Sequence, residues 1–445
     1  MAAEKVAYFL AAPGAGPASA AGTLPMTGKE DTSTEVGLAA SALRVAEQAS
    51  ARFLMRLARA LHYYGMPSYR VEHALSVVAV KLGVEAQFLV TPTSIVTSVG
   101  EEDTARTLLA RLDQGSADLS KLAALNELLR DVFADKTPVS EAAGRVASIE
   151  ARPPLYGRPA TVLSFGVVAA VVAMFFGGAW REVVVSGVLG LTTGLLAVLA
   201  STSRRFGLLV PALAGIVCAG GAQAAGHVLQ PLFPSIPTLA GLIVLLPGLT
   251  LTIAVNELAH GHSVSGSARL ISALVTFLQI GFGLALGIAL VTRLLGPPAA
   301  TAPEGFALPV LSGALLVNAL ALAVLFQARL RDVPVVLVAA ATAFLGARFG
   351  SEYLGLELGT CLGAWLLGTV GAVISRWRDL PSAIPILPGL LLLVPGSLGF
   401  RSLSALIAKD VASGVEAGFT MAIIALALVT GLLLSNLTVE PRKLF

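Results

Sequence analysis

Apolar residues return along this chain in two different rhythms. From Glu35 to Tyr64 they recur at helical spacing, with Leu43, Ala46, Phe53, Leu54, Leu57 and Leu61 on or near one face. Gly65-Met66-Pro67 interrupts that pattern, and Ser68 stands where it could cap a second helix, Tyr69 to Leu82, closed by Gly83. Glu85 to Val90 and Ser94 to Val99 read as two strands around Thr91-Pro92-Thr93, with Thr104 to Leu112 as a possible third. Ala117 to Ala134 and Val139 to Glu150 are helical again, and Pro153-Pro154 marks a linker. Near residue 158 the rhythm changes. Apolar runs long enough to cross a bilayer, about 20 residues each, now follow one another to the C-terminus. Ten are predicted, at 160–180, 183–200, 207–229, 236–256, 268–292, 306–326, 333–347, 354–374, 384–400 and 415–436.

The expected fold class is therefore a polytopic α-helical membrane protein with a small α+β domain at its N-terminus. The boundaries are a disordered Ala/Gly/Pro/Ser/Thr-rich tail over 1–34, the α+β domain over 35–152, a linker over 153–159, the membrane domain over 160–436 and a tail over 437–445. Composition agrees. Of 445 residues 56% are hydrophobic and 13% charged, about half the charged share of soluble domains, and mean hydropathy is +0.82. The net charge of +3 does not suggest nucleic acid. Cys218 and Cys361 fall inside apolar spans, so neither a disulfide framework nor a zinc site is expected. Val6 to Ala12 is short and runs into Pro13-Gly14, unlike a secretory signal.

Basic residues set the orientation. With the N-terminal domain cytoplasmic, the inside set is Arg152, Arg158, Arg204, Arg205, Arg269, Arg329, Arg331, Arg376, Arg378, Arg442 and Lys443; the outside set is Arg181, Arg293, Arg348, Arg401 and Lys409. This favours a multi-pass protein of the inner (plasma) membrane with both termini in the cytoplasm. The spans also read as two fives. Leu245-Leu246-Pro247-Gly248-Leu249 in the fourth recurs as Ile386-Leu387-Pro388-Gly389-Leu390 in the ninth, and five is odd, so the second half would be inverted.

Candidate chemistry concentrates in the spans. Pro247-Gly248 and Pro388-Gly389 are expected to break their helices and free carbonyls for protein, water or substrate, and Pro395-Gly396 adds a further break. The same residues could be packing kinks. Gln279 and Asn318, near the middle of their spans, could hydrogen-bond a substrate or glue helices; Gln223 and Asn436 are further polar positions. Glu357, inside an apolar stretch, could carry a proton or pair with Arg348. Asn256-Glu257-x-x-His260-Gly261-His262, followed by Ser265-Gly266 and Arg269, could gate or relay protons, could bind a metal, or could be a polar loop; Gly261 favours a flexible, exposed arrangement over a metal site. No Lys or Arg is expected deep in a span. In the α+β domain His62, Ser68, Tyr69, Glu72 and His73 could suggest a hydrolase, but there is no Gly-x-Ser-x-Gly elbow. No ATP-binding Gly-x-x-x-x-Gly-Lys motif is present, and no cofactor is expected.

The motifs together resemble the threonine/serine exporter family of bacteria and fungi. Gly65, Arg70 and Glu72 match its Gly-x-x-x-x-Arg-x-Glu signature, Pro92-Thr93-Ser94 its Pro-Thr-Ser segment, and Leu119 to Leu122 its Leu-x-Lys-Leu helix. The Pro-Gly spans and Ser265-Gly266-x-x-Arg269 also match. The resemblance implies ten spans, a cytoplasmic N-terminal domain, and proton-driven export of threonine and serine. The implied partners are a small amino acid, protons and the bilayer, with a homo-oligomer left open. A dicarboxylate exporter is the nearest alternative, since split relatives are linked to succinate export; a membrane-tethered hydrolase-like enzyme or a sensor is another.

Overall fold

The computed structural model describes residues 48–100, 105–112, 115–299, 301, 303–394 and 396–439. The expected tail over 1–34, Pro395 and residues 440–445 lie outside them. The α+β portion opens with α1 over 48–63, then α2 (Ser68–Lys81), β1 (Ala86–Val90), β2 (Ser94–Val99), β3 (Arg106–Arg111), α3 (Leu119–Phe133) and α4 (Val139–Ala151). The sheet is antiparallel in the order β1-β2-β3, with Phe88 opposite Thr97 and Thr97 opposite Leu108. Thr91 closes the first hairpin: its N–H reaches the Ser94 carbonyl at 2.8 Å, and its hydroxyl accepts from the Ser94 N–H at 3.0 Å. Gly65 takes a φ of +95°, which an L side chain rarely adopts, and this lets the chain reverse between α1 and α2.

The helical part comprises α5 (Arg158–Phe175), α6 (Trp180–Ala200), the one-turn α7 (Arg204–Gly207), α8 (Val210–Val228), α9 (Ser235–Leu242), α10 (Gly248–Ala259), α11 (Ser263–Leu295), α12 (Leu308–Leu325), α13 (Val333–Leu354), α14 (Leu356–Arg378), α15 (Ala383–Leu393), α16 (Gly396–Ile407) and α17 (Val411–Thr438). Among the described residues eight helical stretches are long and apolar enough to cross a membrane. The third predicted span, now α8, carries Gln223 and His227 and is not among those eight. The fourth is divided into α9 and α10.

One expectation fails here. Pro388-Gly389 does not break its helix, because α15 runs through Pro388 and ends at Leu393. Instead Gly389 lets α15 press on its neighbours; an added Cβ would stand 3.1 Å from the Ala339 carbonyl oxygen of α13. The interruption in this span comes at Val394, which is extended. Three consecutive helices, α9, α10 and α11, start at 235, 248 and 263, and three later ones, α15, α16 and α17, start at 383, 396 and 411.

The α+β portion and the bundle share one apolar cluster, which runs from Phe53, Leu57 and Leu125 to Val168, Leu322, Phe326 and Leu387. Polar contacts join them as well. The first N–H groups of α3, at Leu119 and Ser120, have no partner within their helix. They donate to the carbonyls of Phe326 and Gln327, just past α12, at 2.9 and 3.1 Å. The connecting segment is tied down by the Tyr156 N–H on Gln327 Oε1 (2.8 Å) and the Tyr156 hydroxyl on the Ala328 carbonyl (3.0 Å). Glu127 of α3 pairs with Arg329 and Arg331.

Candidate functional site

The end of α10 and the start of α11 meet the start of α2, and a buried polar network fills the junction. Glu257 is fully buried. Its Oε1 accepts the Ser68 N–H at 2.9 Å, and its Oε2 accepts the Ser265 hydroxyl at 2.6 Å. Arg269 donates Nε to both oxygens, at 3.1 and 3.0 Å. The Ser68 and Ser265 hydroxyls meet at 2.7 Å. Ser68 is therefore not the cap the sequence suggested. Pro67 holds the cap position, Ser68 is the first helical residue, and no side chain caps the turn. The Glu257 carboxylate fills that role from another element, placing negative charge at the positive end of α2. Gly266 permits the approach: a Cβ there would lie 2.9 Å from the Ala254 carbonyl oxygen of α10.

Around this core the family motif residues have defined partners. Tyr69 accepts from Asn256 Nδ2 at 3.0 Å and from Arg70 Nε at 3.2 Å, and it stacks on His260 with centroids 4.3 Å apart. Arg70 also donates to the Ser382 hydroxyl. Glu72 accepts the Val90 N–H at 2.7 Å and lies 3.4 Å from His262 Nδ1; burial pushes its carboxyl above the usual range. His62 is buried and lies 3.2 Å from the Pro92 carbonyl through Nε2, while Nδ1 has no partner among the described residues. Burial, with the nearby Arg269 charge, lowers its pKa to about 4. His260 and Gly261 are exposed, while Glu257 and Asn256 on the preceding turn face into the interface. Among the described residues no three His, Cys, Asp or Glu side chains gather as metal ligands.

A cavity of about 620 Å³ opens beside the network. One wall comes from the α+β portion, with His62, Pro92, Thr93 and Ser116. The other comes from the bundle, with Val244 to Pro247, Thr250 and Arg269. The α9–α10 break forms part of its lining. The carbonyls of Ile243 to Leu246 accept no backbone hydrogen bond from a described residue, and the first bond of α10 runs from Leu251 N–H to the Pro247 carbonyl at 2.9 Å. On the far side of the break Gly248 abuts Val394 and Gly396. A second cavity, of about 710 Å³, begins there, lined by Val394, Ser397, Thr360, Arg348, Glu352 and Arg401. The first cavity lies at the α+β end of the bundle and the second at the opposite end, where α14 begins.

The remaining candidates scatter. Asn318 is fully buried in α12, with neither side-chain oxygen nor nitrogen partnered among the described residues. Gln279 is half-buried in α11 and lines neither large cavity. Glu357 is exposed in the first turn of α14. Asn436 lines a small cavity of about 80 Å³ with Tyr69, Arg70, Asn256 and Ser382. Arg269 lies in the second turn of α11 and lines the large cavity. Ser272 and Thr276, also in that wall, passed unnoticed in the sequence. With Ser265 and Arg269 they form a polar stripe at three- and four-residue spacing through an apolar helix, which is a legible signal.

Two family models of threonine/serine exporters match the chain, one over residues 52–291 and the other, ThrE_2, over 313–438. Curated relatives include pheromone-regulated membrane protein 10 of Eremothecium gossypii, 28% identical over 417 residues, covering 88% of this chain and 56% of the relative. The protein of the same name from Debaryomyces hansenii is 27% identical over 432 residues, covering 88% and 42%. Protein C16A10.01 of Schizosaccharomyces pombe is 25% identical over 426 residues, covering 87% and 51%. The chain spans about half the length of the curated relatives it matches. No solved structure matches it. The chain is a multi-pass membrane protein, and with the first model alone matching more than half its length, it belongs to the threonine/serine exporter family.

Proposed function

We propose that the protein is a secondary transporter that exports threonine, serine and similar small polar amino acids from the cytoplasm, coupled to protons, by alternating access around the two helix breaks. One observation carries this reading: the α9–α10 and α15–α16 breaks abut at Gly248 and Gly396, with one cavity on each side of the contact. A thin barrier between two opposed vestibules is what a rocking carrier needs, and backbone groups freed at broken helices can hold a zwitterion without a full protein charge.

A ten-span arrangement in two inverted fives fits the same geometry. The starts of α9, α10 and α11 recur 148 residues later in α15, α16 and α17 (235 to 383, 248 to 396, 263 to 411). This register aligns Pro247-Gly248 with Pro395-Gly396 instead of Pro388-Gly389. Packing repeats as well: α8 lies along α11 as α14 lies along α17, and α10 on α11 as α16 on α17. The two family models divide the chain between α11 and α12. An N-in orientation is supported by the loops that meet the α+β portion, since those carrying Arg329, Arg331 and Arg378 belong to the basic, cytoplasmic set. The α+β portion, as a cytoplasmic domain over about 35–152, would regulate access to the inner vestibule. Glu72 and His262, beside it, are the candidates for proton coupling.

The test is counterflow in proteoliposomes carrying the full chain. Labelled threonine should exchange with internal threonine or serine, and an imposed pH gradient should drive net accumulation that a protonophore collapses. Exchange of succinate but not threonine would overturn the assignment and favour the dicarboxylate reading.

A further inference from the structure

The geometry points to a second, composite binding site in the inner vestibule, in which Arg269 receives the carboxylate of a small amino acid before it reaches the helix breaks. Arg269 is held from behind. Its Nε is committed to both oxygens of Glu257, at 3.1 and 3.0 Å, and Glu257 is itself fixed by the Ser68 N–H and the Ser265 hydroxyl. Its two terminal guanidinium nitrogens make no hydrogen bond to a described residue, while the side chain is 19% exposed and lines the 620 Å³ cavity. A guanidinium anchored at Nε keeps its terminal edge in a fixed plane, which suits bidentate recognition of a carboxylate.

The surroundings select the same ligand class. Among the described residues lining this cavity Arg269 is the only Lys or Arg, and none is Asp or Glu. His62, the other titratable group in the wall, is kept neutral near pH 7 by burial and by the Arg269 charge. The vestibule thus offers one carboxylate position, and a dicarboxylate would leave its second anion unmatched. Ser272 and Thr276 continue the polar stripe below Arg269, Thr93 faces it from the α+β portion, and the carbonyls of Val244 to Leu246 are available to an ammonium group. The site is composite because Ser68 completes the shell of the carboxylate that orients Arg269. Undocking α2 would release Arg269, so the α+β portion builds the entry site as well as covering it.

The inference takes its biological use from the transport reading, but its test is direct binding. Full-length protein in nanodiscs would be titrated with L-threonine, with L-threoninol, which lacks the carboxylate, and with succinate. The variants are Arg269→Lys, which keeps a cation for Glu257 but loses the fork, and Glu257→Gln with Arg269→Gln, which removes both charges together. Elution as a monodisperse peak checks folding. Threonine should bind the parent at least about tenfold more tightly than threoninol and more tightly than succinate, and Arg269→Lys should erase most of that preference. Unchanged discrimination in a folded Arg269→Lys protein, or no carboxylate preference in the parent, overturns the site; if Arg269→Lys does not fold, the neutral pair decides in the same way. Threonine that binds through Arg269 yet fails to exchange in proteoliposomes would instead sink the transport reading and leave the site standing.

Discussion

Gly248 and Gly396 face one another where α10 and α16 begin, so closely that a Cβ on Gly248 would stand 3.1 Å from both the Cα and the nitrogen of Gly396. The atoms that would have to yield include backbone, and Val394 crowds the same position. Gly248→Ala should therefore push the two helix starts apart, at about 1–3 kcal/mol of overpacking. Exchange should fall by at least about tenfold if the barrier between the vestibules forms here. Gly313→Ala is the control, because a Cβ there meets nothing within 4 Å; it should leave exchange unchanged. Equal activity in both variants would remove the abutting breaks from the transport path.

The junction between α2 and the α10–α11 turn should rank its residues by the interactions each one makes, since Glu257 and Ser68 are equally buried. Glu257→Ala strands Arg269 beside an apolar wall and strips α2 of its cap, a loss of about 3–5 kcal/mol typical of a broken buried pair. Ser68→Ala removes one hydroxyl contact but keeps the N–H on Glu257, at about 1 kcal/mol. Thermal unfolding of the two variants in the same detergent gives the order. If Ser68→Ala is as damaging as Glu257→Ala, the carboxylate is not what holds the parts together.

Much of this was legible in the chain. The period-3.6 stripe through Leu54, Leu57 and Leu61 gave α1, and Pro92 with its flanking hydroxyls gave the β1–β2 turn. Eight helical stretches among the described residues are long and apolar enough to cross a membrane, while the fourth expected span is divided in two. Of the two breaks expected in the ninth span, the one before Gly396 stands where the chain is interrupted at Val394, whereas the one at Pro388 does not form; Pro388 reads as a helix breaker only in isolation. In a packed bundle a proline missing one hydrogen bond is tolerated where Gly389 lets a neighbouring helix come close. The Ser68 side of the Glu257 network could not be read, because it joins residues 189 to 197 positions apart, whereas Ser265 and Arg269 lie only 8 and 12 positions from Glu257. Local spacing showed Glu257 and His260 on one turn, yet tertiary docking buries the first and leaves the second at the surface, stacked on Tyr69.

Salt should loosen a different contact. Glu127 accepts from Arg329 at 2.6 Å and from Arg331, and all three side chains are partly exposed. Burial alone would raise the Glu127 carboxyl, but the two guanidiniums outweigh it and hold it below the usual range. Its contribution is present above the ordinary glutamate range and is lost as pH falls through the depressed value. Solvent screening limits it to about 1 kcal/mol. The unfolding midpoint of the parent should drop between low and high NaCl by more than that of Glu127→Gln. Parallel curves would mean that this cluster does not fasten α3 to the loop after α12.

His62 should make the α+β portion acid-sensitive. Its pKa falls to about 4 in the folded protein, through burial first and the Arg269 charge second, against an ordinary value of 6.5. Between those values the unfolded chain binds more protons than the folded one. Stability from the neutral imidazole is therefore complete above about pH 6.5, declines as the pH falls, and is gone near pH 4, a loss of up to about 3 kcal/mol. Glu72, raised by burial, acts in the opposite sense, since its contribution is lost as pH rises through its own value. The comparison must therefore be between proteins that differ only at His62. Unfolding midpoints of the parent and of His62→Gln, measured at pH 7 and pH 5, should differ far more in the parent, because glutamine cannot take up the proton that the buried site resists. If both proteins lose the same amount on acidification, the sensitive group lies elsewhere, and the His62–Pro92 contact is held by packing alone.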